Sequence, residues 1–371
     1  MHEKSRRGTN LFLFTKTVTA MRTVRQNIGV DVDAKALKVS FQCLRDDLTI
    51  KVVASRTFEN GPAGFRALLK WAGQKKEEGL PLHFTMEATG VYHENLAYFL
   101  YGQEHATVHV ELPNKTAAYK KSLNIKSKTD PIDAGMLGHM GAERHLEPWH
   151  PGSGQMREIK KLSRERLRLI DEKTMVSNQL HAEKKSFGPN KSSVKRYDKR
   201  VKFLEKQVGE IEKEIKALVA KDKALQERVD NVCTAKGMGF VTVVGVVAET
   251  DGFALFKNRS QLVSYAGYDV RENQSGTSVR GKASISKKGN SNIRRMMYMP
   301  AMSAARSDEN HREHYQRIVE RSGIKMKANV AIQRKLLLLM FTLFTKNEPF
   351  DPGHRDRMVE KLGPKKFKAT G

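Results

Sequence analysis

Apolar and polar positions divide this chain into three stretches with different periods. In residues 25–150, short β-branched runs alternate with helical patterns. Residues 28–32, 37–44 and 50–58 read as three strands joined by short turns, one at Arg45-Asp46-Asp47. Residues 63–76 follow as an amphipathic helix, with Phe65, Leu68, Leu69 and Ala72 at helical spacing. A strand over 82–87, a helix around 95–102, a strand over 107–112 and further helices complete this stretch. In residues 151–230 the pattern turns helical. From Val201 the apolar positions Leu204, Val208, Ile211, Ile215, Leu218, Leu225 and Val229 step by threes and fours, interrupted only by Asp222. That repeat predicts a coiled-coil arm. A more basic helix over 155–185 precedes it, and Phe187-Gly188-Pro189-Asn190-Lys191-Ser192-Ser193 breaks the two apart. The arm packs either on itself as a hairpin or on a second copy. In residues 231–350, Lys236-Gly237-Met238-Gly239 reads as a hairpin entering the apolar run 241–248. A Gly/Ser/Lys-rich stretch spans 274–292, and 293–345 reads as helical, with 336–341 as core.

Three strands, then helix, strand, helix, strand, helix is the element order of the ribonuclease-H-like α/β fold. In that fold the first and fourth strands carry acids that converge at one sheet edge. Here Asp31 sits inside the first run and Glu87 ends the fourth. Asp130 and Asp133 flank Pro131-Ile132 where a helix begins. Buried acids are costly unless paired or bound to a metal. A helix start explains the last two by itself, with Asp130 as N-cap, Pro131 at the first helical position and Asp133 in the first turn. Both readings are compatible, because acids three apart share a helix face. Together the four would make an all-oxygen site suited to Mg²⁺ or Mn²⁺, of the kind that assists phosphodiester chemistry. Asp33 is the reserve for the first position. A Gly-x-Asp strand also opens sugar-kinase folds, but no Gly-rich phosphate loop stands where one would be needed.

Charge sharpens the picture. Lys and Arg number 67 against 41 Asp and Glu, so 67 − 41 gives +26. An excess of that size implies a polyanionic partner, DNA or RNA, bound with steep salt dependence. No segment approaches the ~18 apolar residues of a transmembrane helix, so no membrane partner is expected. Residues 1–24 read as a disordered basic extension, too short in apolar run for a signal peptide, and 351–371 as a basic tail. Two cysteines, Cys43 and Cys233, in no CxxC pattern fit a reducing cytoplasm.

Gly29-Val30-Asp31, Met86-Glu87-Ala88-Thr89-Gly90 and Lys128-Thr129-Asp130-Pro131-Ile132-Asp133-Ala134 together resemble the DEDD transposases of the insertion-sequence-110 family. Their N-terminal domain is similar to the RuvC Holliday-junction resolvase. The resemblance continues at Gln261-Leu262-Val263-Ser264-Tyr265-Ala266-Gly267, Gln274-Ser275-Gly276 and Lys288-Gly289-Asn290 leading to Arg294, and covers about residues 25 to 340. It implies a RuvC-like catalytic domain over 25–150, a coiled-coil arm over 151–230 and a mainly α C-terminal transposase domain over 231–350. It also implies that Ser275 attacks the DNA backbone to give a phosphoserine intermediate, aided by metal at the acids. Arg271, Arg280 and Lys282 would hold the scissile phosphate. Lys128, Lys287, Lys288 and Arg294 are further expected nucleic-acid contacts. The implied partners are donor and target DNA, a structured guide RNA, and further copies of the chain, a dimer assembling to a tetramer. The competing expectation is a metal-dependent, structure-specific nuclease of resolvase type acting by hydrolysis. The family's Pro-Gly-Ile-Gly is replaced by Lys236-Gly237-Met238-Gly239.

Overall fold

β1 runs over Thr23–Val32, five residues longer at its start than the apolar run predicts. The extra residues include Gln26 and Asn27, both fully buried. Their side chains are satisfied: Gln26 Nε2 donates to Leu80 O at 2.8 Å, and Asn27 Nδ2 donates to Gly138 O at 3.1 Å. Polar residues that find such partners can occupy a core strand without an apolar signature. β1 therefore begins inside the stretch expected to be a disordered extension. The computed structural model describes residues 21–127, 129–271, 274–275, 279–280, 284–354 and 357, with the backbone alone for 274–275 and 279–280. Residues 1–20 and most of the basic tail lie outside them.

Two compact units divide the chain, Met1–Pro151 and Gly152–Gly371. In the first, β2 (Ala36–Arg45) and β3 (Ile50–Glu59) follow β1 as an antiparallel meander. Then come α1 (Pro62–Gly73), β4 (Leu82–Glu87), α2 (Glu94–Tyr101), β5 (Ala106–Glu111), α3 (Pro113–Ser122) and α4 (Asp130–Glu143). The strand order is β3-β2-β1-β4-β5, with β4 parallel to both β1 and β5. Parallel neighbours need crossover connections, and α1 and α2 supply them. The result is a mixed five-stranded α/β sheet of nuclease-like character. Its core gathers Ile28, Phe41, Leu68, Phe84, Leu96 and Leu100, all fully buried.

The second unit opens with two long helices, α5 (Gly154–Lys185) and α6 (Lys191–Ala220), packed against each other as a hairpin. Asn190 starts α6 by accepting from the Ser192 and Ser193 backbone N–H groups. The apolar repeat does not run on as one helix to Val229. Asp222 caps a new helix, α7 (Lys223–Cys233), accepting from Leu225 N at 3.0 Å. The roots of the hairpin belong to a larger core: Ile159, Ile215 and Val219 pack with Val243, Leu336 and Met340.

α8 (Phe240–Glu249) and α9 (Arg259–Ala266) follow, then β6 (Val270–Arg271), β7 (Gln274–Ser275), β8 (Val279–Arg280) and β9 (Ser284–Ile285). β6 pairs β9 and β7 pairs β8, both antiparallel. The Gly/Ser/Lys-rich stretch thus supplies three of the four strands of two short ribbons. α10 (Ser291–Met296), α11 (Tyr298–Ser307), α12 (Glu309–Ser322) and α13 (Lys325–Lys346) complete the unit. By length and composition α13 is long and apolar enough to cross a membrane, which the sequence reading did not anticipate. Half of its apolar window is buried, and Leu336, Leu337 and Met340 are core residues.

Candidate active site

The first unit places Asp31 near the end of β1 and Glu87 at the end of β4, on neighbouring parallel strands. Asp130 and Asp133 both stand in the first turn of α4. Here the helix start is shifted by one residue from the sequence reading. Thr129 is the N-cap, with extended backbone, so Asp130 is the first helical residue rather than the cap. Asp33 lies just past the end of β1 and is exposed.

Glycines let α4 come this close to the sheet. A Cβ on Gly29 of β1 would lie 2.1 Å from Gly138 N and 2.2 Å from Ala134 O, so helix and strand meet backbone to backbone. Buried amides fasten the contact: Gln42 Nε2 donates to Gly135 O at 2.7 Å and Asn27 Nδ2 to Gly138 O at 3.1 Å. Thr85 Oγ1 in turn donates to Asn27 Oδ1 at 3.0 Å. These bonds take up carbonyls further along the helix and hold α4 against β1 and β2.

Electrostatics report the convergence. Burial first, then the charges of Asp130, Asp133, Glu87 and Asp33, push the Asp31 carboxyl up to about 6. Three of the four expected acids, with Asp33, therefore bear on the fourth, Asp31. α3 holds two of them from one face. Thr116 donates its hydroxyl to Glu87 Oε2, and Lys120, one turn later, pairs with Asp133 Oδ1. Thr89 adds a bond to Glu87 Oε1 at 2.8 Å. The ammonium of Lys120 thus stands against a carboxylate rather than free at the surface. Thr116 and Lys120 were missed, although their spacing of four before an acidic helix start was a readable signal.

Carboxylate oxygens on neighbouring elements, repelling one another, form a hard donor set that fits Mg²⁺ or Mn²⁺. Among the described residues, however, no three His, Cys, Asp or Glu side chains converge closely enough to make a finished metal cage. Asp31 carries the electrostatic strain, while the ammonium of Lys120 neutralises Asp133.

In the second unit Ser275 lies on β7, its backbone paired with Val279 of β8. Arg280 lies on β8, while Lys128 and Lys282 fall outside the described residues. Arg271, Lys287 and Lys288 are exposed, as phosphate contacts would be. Arg294 is half-buried, and one of its nitrogens donates to Ala266 O at 2.7 Å at the end of α9.

The acid that sequence reading missed here is Glu249, at the end of α8, with its side chain 0% exposed. Arg164 of α5 meets it with two bonds, Nε at 2.6 Å and Nη2 at 2.9 Å. Asn290 Nδ2 donates at 2.7 Å, and Lys160 lies 3.7 Å away. Burial alone would raise this carboxyl, but Arg164, Lys160 and Asn290 outweigh it and hold Glu249 below its usual range. Glu249 thus ties α5, α8 and the loop before α10 together. Nothing in the apolar run 241–248 signals that its last neighbour is a buried ion-pair hub.

Known proteins bear on these arrangements in two ways. Residues 28–185 match a family model described as Transposase, of the DEDD IS110 type, and residues 229–316 match one described as Transposase IS116/IS110/IS902 family. All four acids fall in the first match and Ser275 in the second. Two relatives carry the name pilin gene-inverting protein. The one from Moraxella lacunata is 28% identical over 326 residues, covering 87% of this chain and 97% of that protein. The one from Moraxella bovis is 29% identical over 297 residues, covering 80% and 90%. Matches in both units, in the same order along nearly whole relatives, place the chain in the IS110 family of transposases, enzymes that rearrange DNA.

Proposed function

We propose that this chain is the recombinase of an insertion sequence, cutting and rejoining DNA through a serine-linked intermediate. Its first unit is then a ribonuclease-H-like, RuvC-like domain, a reading supported by the strand order β3-β2-β1-β4-β5 with acids on the first and fourth strands. The observation that carries the proposal is the placement of Asp31 and Glu87 on neighbouring parallel strands with Asp130 and Asp133 in the first turn of α4, near enough for the other three charges to bear on the Asp31 carboxyl.

In this account Asp31, Glu87, Asp130 and Asp133 hold Mg²⁺ or Mn²⁺. Such an ion supplies charge to stabilise oxygens of a phosphodiester undergoing exchange. Lys120 and Thr116 keep Asp133 and Glu87 oriented, and Lys120 neutralises part of the acidic charge before DNA arrives. Ser275 Oγ forms a bond to the scissile phosphorus, and the bond from phosphorus to the departing sugar oxygen breaks. The serine proton leaves to a neighbouring base or to the departing oxygen. A serine hydroxyl is weakly nucleophilic at neutral pH and needs such help. Reversal with a new sugar hydroxyl rejoins the strand and frees the serine. Arg271, Arg280 and Lys282 hold the phosphate, with Lys128, Lys287 and Lys288 along the bound nucleic acid.

Rejoining is favoured over plain hydrolysis by the relatives. A protein that inverts a gene must reseal each end it cuts, and a protein-linked phosphoester conserves the bond energy for that. In this reading guide RNA selects the sites by pairing, and acids and serine from copies of the chain complete one another in a dimer assembling to a tetramer.

The test is a denaturing gel of full-length protein with cognate element ends, guide RNA and Mg²⁺. Wild type is expected to give covalent protein–DNA adducts, Ser275→Ala none, and Asp31→Asn none. Adducts persisting in Ser275→Ala would remove the serine from its role. Strand cleavage by Ser275→Ala that Asp31→Asn abolishes would instead identify hydrolysis of resolvase type.

A further inference from the structure

A cavity of about 610 Å³ lies in the second unit among α5, α8, α10 and α11. That size is within the ~300–1,000 Å³ of sites that take small molecules. Ile170, Val241 and Met296 make its walls apolar, and Tyr298 and Met299 stand exposed at it. Ser163 also lines it, and is only 4% exposed. Among the described residues its Oγ has no hydrogen-bond partner. A buried hydroxyl left unpaired is a cost to the fold, and such groups are few in native proteins. A ligand's polar edge would relieve it.

Three arginines share the lining. Arg166 is spent on Glu212, at 2.7 Å, and Arg295 on Asp171. Arg294 Nη1 donates to Ala266 O at 2.7 Å and to Asn290 O at 3.4 Å, and among the described residues Arg294 makes no ion pair. Its charge and its remaining N–H donors are therefore available beside the cavity. Apolar and aromatic walls, one unsatisfied hydroxyl inside and one unneutralised guanidinium beside them match a nucleotide. A flat base packs on Met and Tyr side chains, its polar edge meets a hydroxyl, and its phosphate meets arginine. A base inside a duplex is stacked and cannot enter, whereas an unpaired or extruded one can.

We propose that this cavity receives one unpaired nucleobase of the nucleic acid bound to the protein. The proposal rests on the reading that the chain works on nucleic acid, but uses neither the acids nor Ser275. RNA and DNA present the same chemistry here, and the two arms of the test separate them.

The full-length protein is mixed with single-stranded ribo- or deoxyribo-oligonucleotides carrying one 5-iodouracil, irradiated, and mapped by peptide mass spectrometry. Adducts are expected on Met296, Tyr298 or Met299, and the arm that yields them names the source. Thr242→Trp, which fills the cavity, is expected to cut those adducts about tenfold, the scale of one lost base stack. Should that variant misfold, Ser163→Ala replaces it, and is expected to shift the adduct ratio between 5-iodouracil and 5-iodocytosine several-fold. Adducts confined to other elements, with ordinary salt-dependent binding intact, would overturn the cavity's role and leave the proposed function standing. An unchanged yield with Thr242→Trp folded, or an unchanged base ratio with Ser163→Ala, would overturn it too. Absence of salt-dependent binding to either oligonucleotide would overturn both.

Discussion

Asp31 and Glu249 are both partly or wholly buried carboxylates, one in each unit, and their surroundings push them in opposite directions. Glu249 has an arginine, a lysine and two asparagines within reach, and ionises more readily than a free glutamate despite complete burial. Around Asp31, burial and four neighbouring acids all disfavour the charge. A fold that had only to be stable would treat the two alike. The difference marks Glu249 as a structural tie, and leaves Asp31 as the carboxyl that the proposed function assigns to a cation.

Breaking the tie should cost most. Arg164→Ala leaves the Glu249 charge buried with only Lys160 and the asparagine amides, and is expected to destabilise the second unit by about 3 kcal/mol. Urea unfolding would show this as a lower midpoint. Glu249→Gln should cost less than Glu249→Ala, since the amide retains hydrogen bonds but not the charge. A negligible change in all three would remove Glu249 from its role as a hub.

Next in size is the close approach that assembles the acids. Gly29→Ala places a methyl against Gly138 N and Ala134 O, neither of which can yield without α4 moving. A loss of about 2–3 kcal/mol is expected, together with recombination activity, because α4 carries Asp130 and Asp133. Full activity in a folded Gly29→Ala protein would show that the helix position does not matter.

Asp31→Asn should act the other way. The wild-type carboxyl binds its proton more tightly folded than unfolded, so between about 3.8 and 6 the native state holds more protons. Stability therefore falls as pH rises through that window, and the cost is fully present above it. Removing the charge is expected to gain about 1 kcal/mol at pH 7, after allowance for solvent screening, while abolishing activity. Thermal melts at pH 4 and pH 7 would check the sign: the gain should be small at the lower pH.

Much of the first unit was legible because strands and helices there carry clean periods. The β4 run 82–87 is observed as Leu82–Glu87. The four acids could be named since acids at strand ends and a helix start stand out against apolar neighbours. What hid was satisfied polarity. Gln26 and Asn27 lengthen β1 without apolar pattern, because their partners at Leu80 and Gly138 are remote in sequence. Glu249 hid for the same reason, its main partner Arg164 being 85 residues away. The break at Asp222 was visible as an interruption but not as a cap, a distinction set by one backbone N–H. Gly29 and Gly138 were not recognisable as facing each other until α4 was placed on β1.

The most direct measurement is a Mg²⁺ titration of thermal stability at pH 7, comparing wild type with Asp31→Asn. If Asp31 waits for a cation, wild type should gain melting temperature in a saturable manner, and the variant should start higher and respond little. Equal responses from the two proteins, or none from either, would contradict the account.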